Sequence, residues 1–166
     1  MTTIAERTKF PQVLLIDDCR GDAILIRMAF KRAELPGNIT VAATAEIGFK
    51  ILRHEGQYAD APCPDLILLD LNLPQMRGSD FLTLAKADPV LRIIPVIVMS
   101  SSKAETDLLT TYKAYANGFI TKPSLPSDYD RMVEIIEDYW FQLVQTPSTH
   151  QPVPPDSRDH ETTPAT

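Results

Sequence analysis

Five short apolar runs that do not alternate with polar residues constrain this chain most. They are Val13-Leu14-Leu15-Ile16, Ile39 to Ala43 interrupted by Thr40, Leu66-Ile67-Leu68-Leu69, Ile94 to Met99 interrupted by Pro95, and Phe119-Ile120. A strand with one wet face alternates polar and apolar residues. A continuous apolar strand needs cover on both faces, as in a parallel sheet between helices. The intervening segments have helical periodicity: Ala23, Ile26, Phe30 and Ala33; Ala45, Phe49 and Leu52; Leu108, Leu109, Tyr112 and Ala116. Tyr129, Met132, Val133, Ile136 and Trp140 form the strongest stripe. Ser79, after Gly78, is placed to cap a helix beginning near Asp80, and Asp22, after Gly21, to cap an earlier one. Strand and helix thus repeat five times, which predicts a doubly wound α/β domain with a five-stranded parallel sheet.

The folded unit is expected to span residues 11–144 as one domain. Residues 145–166 hold five prolines and only Val153 and Ala165 as aliphatic residues. So little apolar surface cannot offset the ordering entropy, and the segment reads as a disordered Pro-rich tail, with residues 1–10 a flexible N-terminus. The formal charge of −6 disfavours nucleic acid as a partner. No run approaches the roughly 18 to 20 apolar residues that cross a bilayer, so no membrane segment is expected. Charges in MTTIAERTKF occupy the place of a signal peptide's apolar core, and Cys19 and Cys63 have neither disulfide-scaffold nor metal spacing. A cytoplasmic protein is the expectation.

In an open parallel sheet ligands bind at the carboxyl ends of the strands. Those ends carry Asp17-Asp18 on strand one, Asp70 on strand three, Ser100-Ser101-Ser102 on strand four and Lys122-Pro123 after strand five. Each has an ordinary structural use as a cap or turn residue. Together they put three carboxylates, a hydroxyl and an ammonium on one edge. Carboxylates so close cannot all stay ionised unless a cation or proton intervenes. A hard divalent ion such as Mg²⁺ fits this oxygen set, and zinc or copper would be poorly served. The implied substrate is a phosphoryl group, neutralised by Lys122 and contacted by Ser100, with one carboxylate as nucleophile.

On the motifs VLLIDD (13–18), DLILLDLNLPQMRG (65–78), IPVIVMSSS (94–102) and NGFITKP (117–123), the chain resembles the receiver domain of two-component response regulators, the superfamily of the single-domain chemotaxis regulator. The resemblance covers about residues 11–144. The connection EGQYADAPCPD, the ADPVLRIIPV segment and the ending DYWFQLVQTP also resemble the stand-alone regulators that partner phytochrome-type photosensor kinases. The resemblance implies a flavodoxin-like strand order 2-1-3-4-5. It implies that Asp70 is the phosphoacceptor, that Asp18 binds Mg²⁺ directly and Asp17 through water, and that the Asn72 backbone carbonyl is a further ligand. Ser100 corresponds to the switch hydroxyl, Phe119 to the switching aromatic, and Lys122 to the characteristic lysine, whose bond to Pro123 is usually cis in the family. Arg77, Ser101 and Tyr115 depart from the usual pattern, Tyr115 standing where Gly is common.

The expected function is a phosphorylation-controlled signalling switch, not an enzyme acting on other substrates, with no output domain after Val144. It would signal by a surface change or by onward phosphotransfer. An aspartyl-nucleophile phosphatase of the haloacid dehalogenase kind would need a second Asp where Asn72 stands. A flavin carrier would need a phosphate loop where DDCRGD stands. His54 is expected in a helix before strand three, and His150 and His160 in the tail. No histidine is therefore placed to donate phosphate, and the donor is expected to be a sensor histidine kinase. Ile135 and Tyr139 lie off the core stripe of the last helix. They point to partner docking or a homodimer through helix four, strand five and helix five.

Overall fold

The computed structural model describes residues 11–34, 38–101 and 105–144. The proposed flexible N-terminus, the tail with His150 and His160, and Ser102 lie outside the described residues. The strands are β1 (Gln12–Ile16), β2 (Asn38–Ala42), β3 (Leu66–Asp70), β4 (Val96–Ser100) and β5 (Gly118–Thr121), all parallel in the order β2-β1-β3-β4-β5. The helices are α1 (Arg20–Arg32), α2 (Ala45–Leu52), α3 (Gly78–Ala87), α4 (Glu105–Lys113) and α5 (Pro126–Ile136), the last continuing as π-helical turns over Glu137–Leu143.

The pleat sorts the strand residues between two cores. Leu14, Ile16, Ile67, Leu69, Val96 and Val98 pack with Phe49, Leu52, Phe81 and Leu82 of α2 and α3. Val13, Leu15, Leu66, Leu68, Ile97 and Met99 pack with Ile26 and Phe30 of α1 and with Tyr129, Met132 and Val133 of α5. β3 and β4 are buried throughout, as uninterrupted apolar runs require. β2 and β5 are half-buried, because an edge strand has a neighbour on one side only.

Four local expectations are corrected. The Leu108, Leu109, Tyr112 stripe of α4 faces outward, and Thr111 is its buried residue, its hydroxyl donating to the Asp107 carbonyl at 2.6 Å. Ser79 does not cap α3, which begins at Gly78 after Arg77. Asp22 does not cap α1, whose N-cap is Cys19; Asp22 lies inside the first turn. His54 sits past the end of α2, in the left-handed region at φ 55°. Thr44 supplies the capping hydroxyl at α2, accepting from Ile47 N–H at 3.1 Å.

Gly78 is required by close approach. A Cβ there would overlap the Asp70 carbonyl oxygen and lie 2.7 Å from Leu71 Cα, both backbone atoms. At Gly48 a Cβ would meet the Ile16 side-chain end at 2.7 Å and the Phe81 ring at 3.3 Å. Gly78→Ala should therefore cost about 3 kcal/mol or more, the upper range for overpacking. Gly48→Ala regains about 1 kcal/mol of helix propensity and should stay within about 1 kcal/mol of wild type. Urea unfolding of both variants measures the difference.

Candidate functional site

Backbone ladders carry the acids and the lysine to one edge. Asp17 N–H donates to the Ala42 carbonyl at 3.0 Å and Lys122 N–H to the Ser100 carbonyl at 2.8 Å. Each residue thus sits one rung beyond its strand, held by sheet geometry. Asp70 is the last residue of β3, paired with Met99. Two carboxylates also make local hydrogen bonds of the kind an Asp makes to backbone two residues on. Asp17 Oδ1 accepts from Cys19 N–H at 2.8 Å, and Asp70 Oδ1 accepts from Asn72 N–H at 3.0 Å. Those bonds aim the second oxygen of each acid inward.

There the Lys122 ammonium donates to Asp17 Oδ2 at 2.8 Å, Asp22 Oδ2 at 2.8 Å and Asp70 Oδ2 at 3.0 Å. An ammonium has three N–H donors, and these carboxylates take them all. The lysine side chain is 11% exposed, and those of Asp17 and Asp70 are 0% and 5%, so the pairing is poorly screened by solvent. Burial alone would make Lys122 easier to deprotonate. Its hydrogen bonds to Asp17, Asp22 and Asp70 outweigh burial and hold its pKa well above the ordinary lysine range. Burial pushes Asp17 up, against the opposing pull of Lys122. For Asp22 burial also pushes upward, but Lys122 and the Tyr129 hydroxyl prevail and hold it below the usual carboxylate value.

Asp18 is exposed at the mouth of the site. Asp17, Asp18 and Asp70 each offer a carboxylate oxygen, and the three oxygens lie within 4.8 Å of one another. Ligand oxygens on one octahedral Mg²⁺ lie up to about 4.2 Å apart. An all-oxygen set this closely spaced suits a hard divalent ion. Asn72 follows Asp70 in the exposed loop. Ser100 is fully buried at the end of β4, and Phe119 is half-buried against the α2–α3 core. The register pairs Ser100 with Thr121 and Val98 with Phe119, so the pleat puts Ser100 and Phe119 on one face of the sheet.

Every sequence-predicted site residue thus lies at this edge or on the strands leading to it. Sequence reasoning misses Asp22 and Tyr129 as site residues. The apolar stripe marks Tyr129 only as core, and its ring is indeed buried, but its hydroxyl donates to Asp22 Oδ1 at 3.0 Å. The Lys122–Pro123 bond departs from the cis geometry implied by the resemblance, since every described peptide bond is trans. For a bond to proline the two isomers differ by only about 0.5–1 kcal/mol. Tyr115, where Gly is common, adopts the left-handed φ of 66° that explains the usual glycine. His54 Nε2 lies 3.3 Å from Cys63 Sγ, outside this cluster. Among the described residues no helix is long and apolar enough to cross a membrane.

The family model of the response regulator receiver domain matches residues 13–137. The response regulator Rcp1 of Synechocystis sp. is 32% identical over 136 residues, covering 82% of this chain and 92% of that protein. The solved structure of the phosphorylated cyanobacterial phytochrome response regulator RcpA superposes with a TM-score of 0.80 at 36% identity, covering 84% of this chain and 100% of that one. The Mn²⁺-bound form of Rcp1 superposes with a TM-score of 0.77 at 32% identity, covering 83% of this chain and 99% of that one.

Tyr129 gives the site a spectroscopic handle. Burial, followed by the Asp22 carboxylate, pushes its hydroxyl from the ordinary 10.0 up to about 12. A raised folded pKa adds stability that is complete below the unfolded value and is lost as pH rises through the folded one. Between about pH 10 and 12 the wild type should lose stability that Tyr129→Phe does not lose. Denaturant unfolding across that window, with tyrosinate absorbance, checks both the direction and the residue.

Proposed function

The chain belongs to the response regulator receiver family, and from that premise we propose that Asp70 accepts a phosphoryl group from a phosphohistidine on a sensor kinase. The observation that carries this is the Asp70 carboxylate, with one oxygen fixed by Asn72 N–H and the other 3.0 Å from the Lys122 ammonium, inside a cluster suited to a divalent ion. An Asp70 oxygen forms the new P–O bond as the P–N bond to histidine breaks. The freed imidazole keeps the electron pair and takes up a proton. Lys122 neutralises one phosphoryl oxygen and Ser100 donates to another. Asp18 and Asp70 would hold Mg²⁺ directly, Asp17 through water, and the Asn72 carbonyl would complete the protein ligands. The ion supplies charge screening of the phosphoryl oxygens. Hydrolysis of the acyl phosphate resets the domain, and these two reactions on Asp70 are its only chemistry.

Asn72 argues against the phosphatase alternative, because an amide cannot serve as the general acid that such an enzyme places two residues after its nucleophile. The relative RcpA, a cyanobacterial phytochrome response regulator, supports a phytochrome-type kinase as donor. Output is assigned to the face of α4, β5 and α5. Leu108, Leu109 and Tyr112 of α4, Ile135 of α5 and Tyr139 beyond it are large apolar residues left exposed on these elements, which supports that reading. Phosphorylation adds up to about two negative charges. Ser100 then moves inward, Phe119 turns into the vacated space, and this face changes shape.

Asp70 should be labelled by a small acyl-phosphate donor only with Mg²⁺ present, and Asp70→Asn should abolish the label. Intact mass with and without chelator reads both; equal labelling in chelator would sink the metal assignment. The apolar face should support a dimer, constitutive or phosphorylation-dependent, that weakens when Ile135 and Tyr139 are changed to Asp. Sedimentation that finds a monomer in every state would remove the dimer.

A further inference from the structure

We propose that Asp22, braced by the Tyr129 hydroxyl, is a positioning residue that holds Lys122 in place while Asp17 and Asp70 change partners; this rests on the reading of Asp70 as phosphoacceptor. Lys122 is a point charge on a flexible four-carbon stem, and in this structure its three donors are divided among Asp17, Asp22 and Asp70. The carboxylates with clustered ligand oxygens are Asp17, Asp18 and Asp70; Asp22 is not among them. A cation bound by that trio, or a phosphoryl group on Asp70, redirects the oxygens that Lys122 now contacts. Asp22 is the partner that stays.

Its own position is fixed twice. It lies in the first turn of α1, where a carboxylate is favoured by the unpaired N–H groups and helix dipole. Its second oxygen accepts from Tyr129 at 3.0 Å. Tyr129 is 3% exposed, in the same core as Ala23 and Ile26 of α1, so its ring cannot swing away without breaking that packing. Thus Tyr129 fixes Asp22, Asp22 fixes one donor of Lys122, and the remaining donors face the site of phosphoryl transfer.

The test is the rate of Asp70 labelling by a small acyl phosphate with saturating Mg²⁺, with thermal midpoints recorded for each variant. Asp22→Ala should slow labelling about tenfold, since a misplaced ammonium loses its contact with the transferring group. Asp22→Asn should stay within about threefold of wild type, because an amide oxygen still accepts from Lys122 and its NH₂ donates to the Tyr129 oxygen. Were Asp22 only a negative charge repelling the donor, both variants would speed labelling, and that result overturns the proposal. In a Lys122→Met background, Asp22→Ala should change the residual rate less than about twofold; an undiminished tenfold effect there also overturns it. If Asp22→Ala does not fold, Tyr129→Phe carries the test. It should slow labelling about threefold with Lys122 present and leave the residual rate of the Lys122→Met background unchanged. Unchanged labelling in Tyr129→Phe with Lys122 present would then overturn the proposal. A wild-type chain that takes no label overturns the assignment of Asp70 instead.

Discussion

One ammonium makes this edge of the sheet possible. Asp17, Asp22 and Asp70 all point at Lys122, and without it the buried acids would face one another across a poorly hydrated space. Breaking a buried ion pair by removing one partner leaves an uncompensated charge and typically costs about 3–5 kcal/mol. The strand order sets the distance that this ammonium must cover. Asp17 leaves β1 and Asp70 ends β3, which are neighbours, while Lys122 arrives from β5 two strands beyond β3. A long, unbranched side chain spans that gap; a shorter cation would not.

Long-range order was legible wherever burial is two-sided. The runs at β1, β3 and β4 could be covered only by helices on both faces, and strand ends in parallel sheets gather ligands, so Asp17, Asp18, Asp70, Ser100 and Lys122 were readable together. The exposure of α4 was not. Periodicity registers that Leu108, Leu109 and Tyr112 share a side but does not say whether that side meets the core or solvent. Caps failed for a related reason. Ser79 has the right chemistry, yet the close approach of Gly78 to the Asp70 backbone starts α3 one residue earlier than Ser79.

Asp22 and Tyr129 illustrate the hardest case. In sequence, an acid just inside a helix satisfies a local rule and a tyrosine on an apolar stripe satisfies a packing rule. Both local explanations are sufficient, so nothing remained to signal a further role. Their meeting depends on α1 lying against α5, and on the Tyr129 ring being buried while its hydroxyl reaches the edge. A buried tyrosine hydroxyl needs a partner, and that is the one clue the sequence contained. It identifies the need but not the residue that meets it.

The sheet itself divides what the site can influence. Ser100 and Phe119 lie on the face that packs with α2 and α3, whereas Asp22 and Tyr129 belong to the face covered by α1 and α5. Side chains cannot pass through a fully buried β3 and β4. Only at the carboxyl edge do groups from both faces meet, and Lys122 is the residue common to them: its backbone N–H binds the Ser100 carbonyl and its ammonium binds Asp22. A new charge on Asp70 must act on both of these contacts at once. On the proposed reading, the response of the α4 side and the restraint from the α1–α5 side are two consequences of where one lysine settles. On that reading, a change at Tyr129 alters loading of Asp70 without touching Ser100 or Phe119.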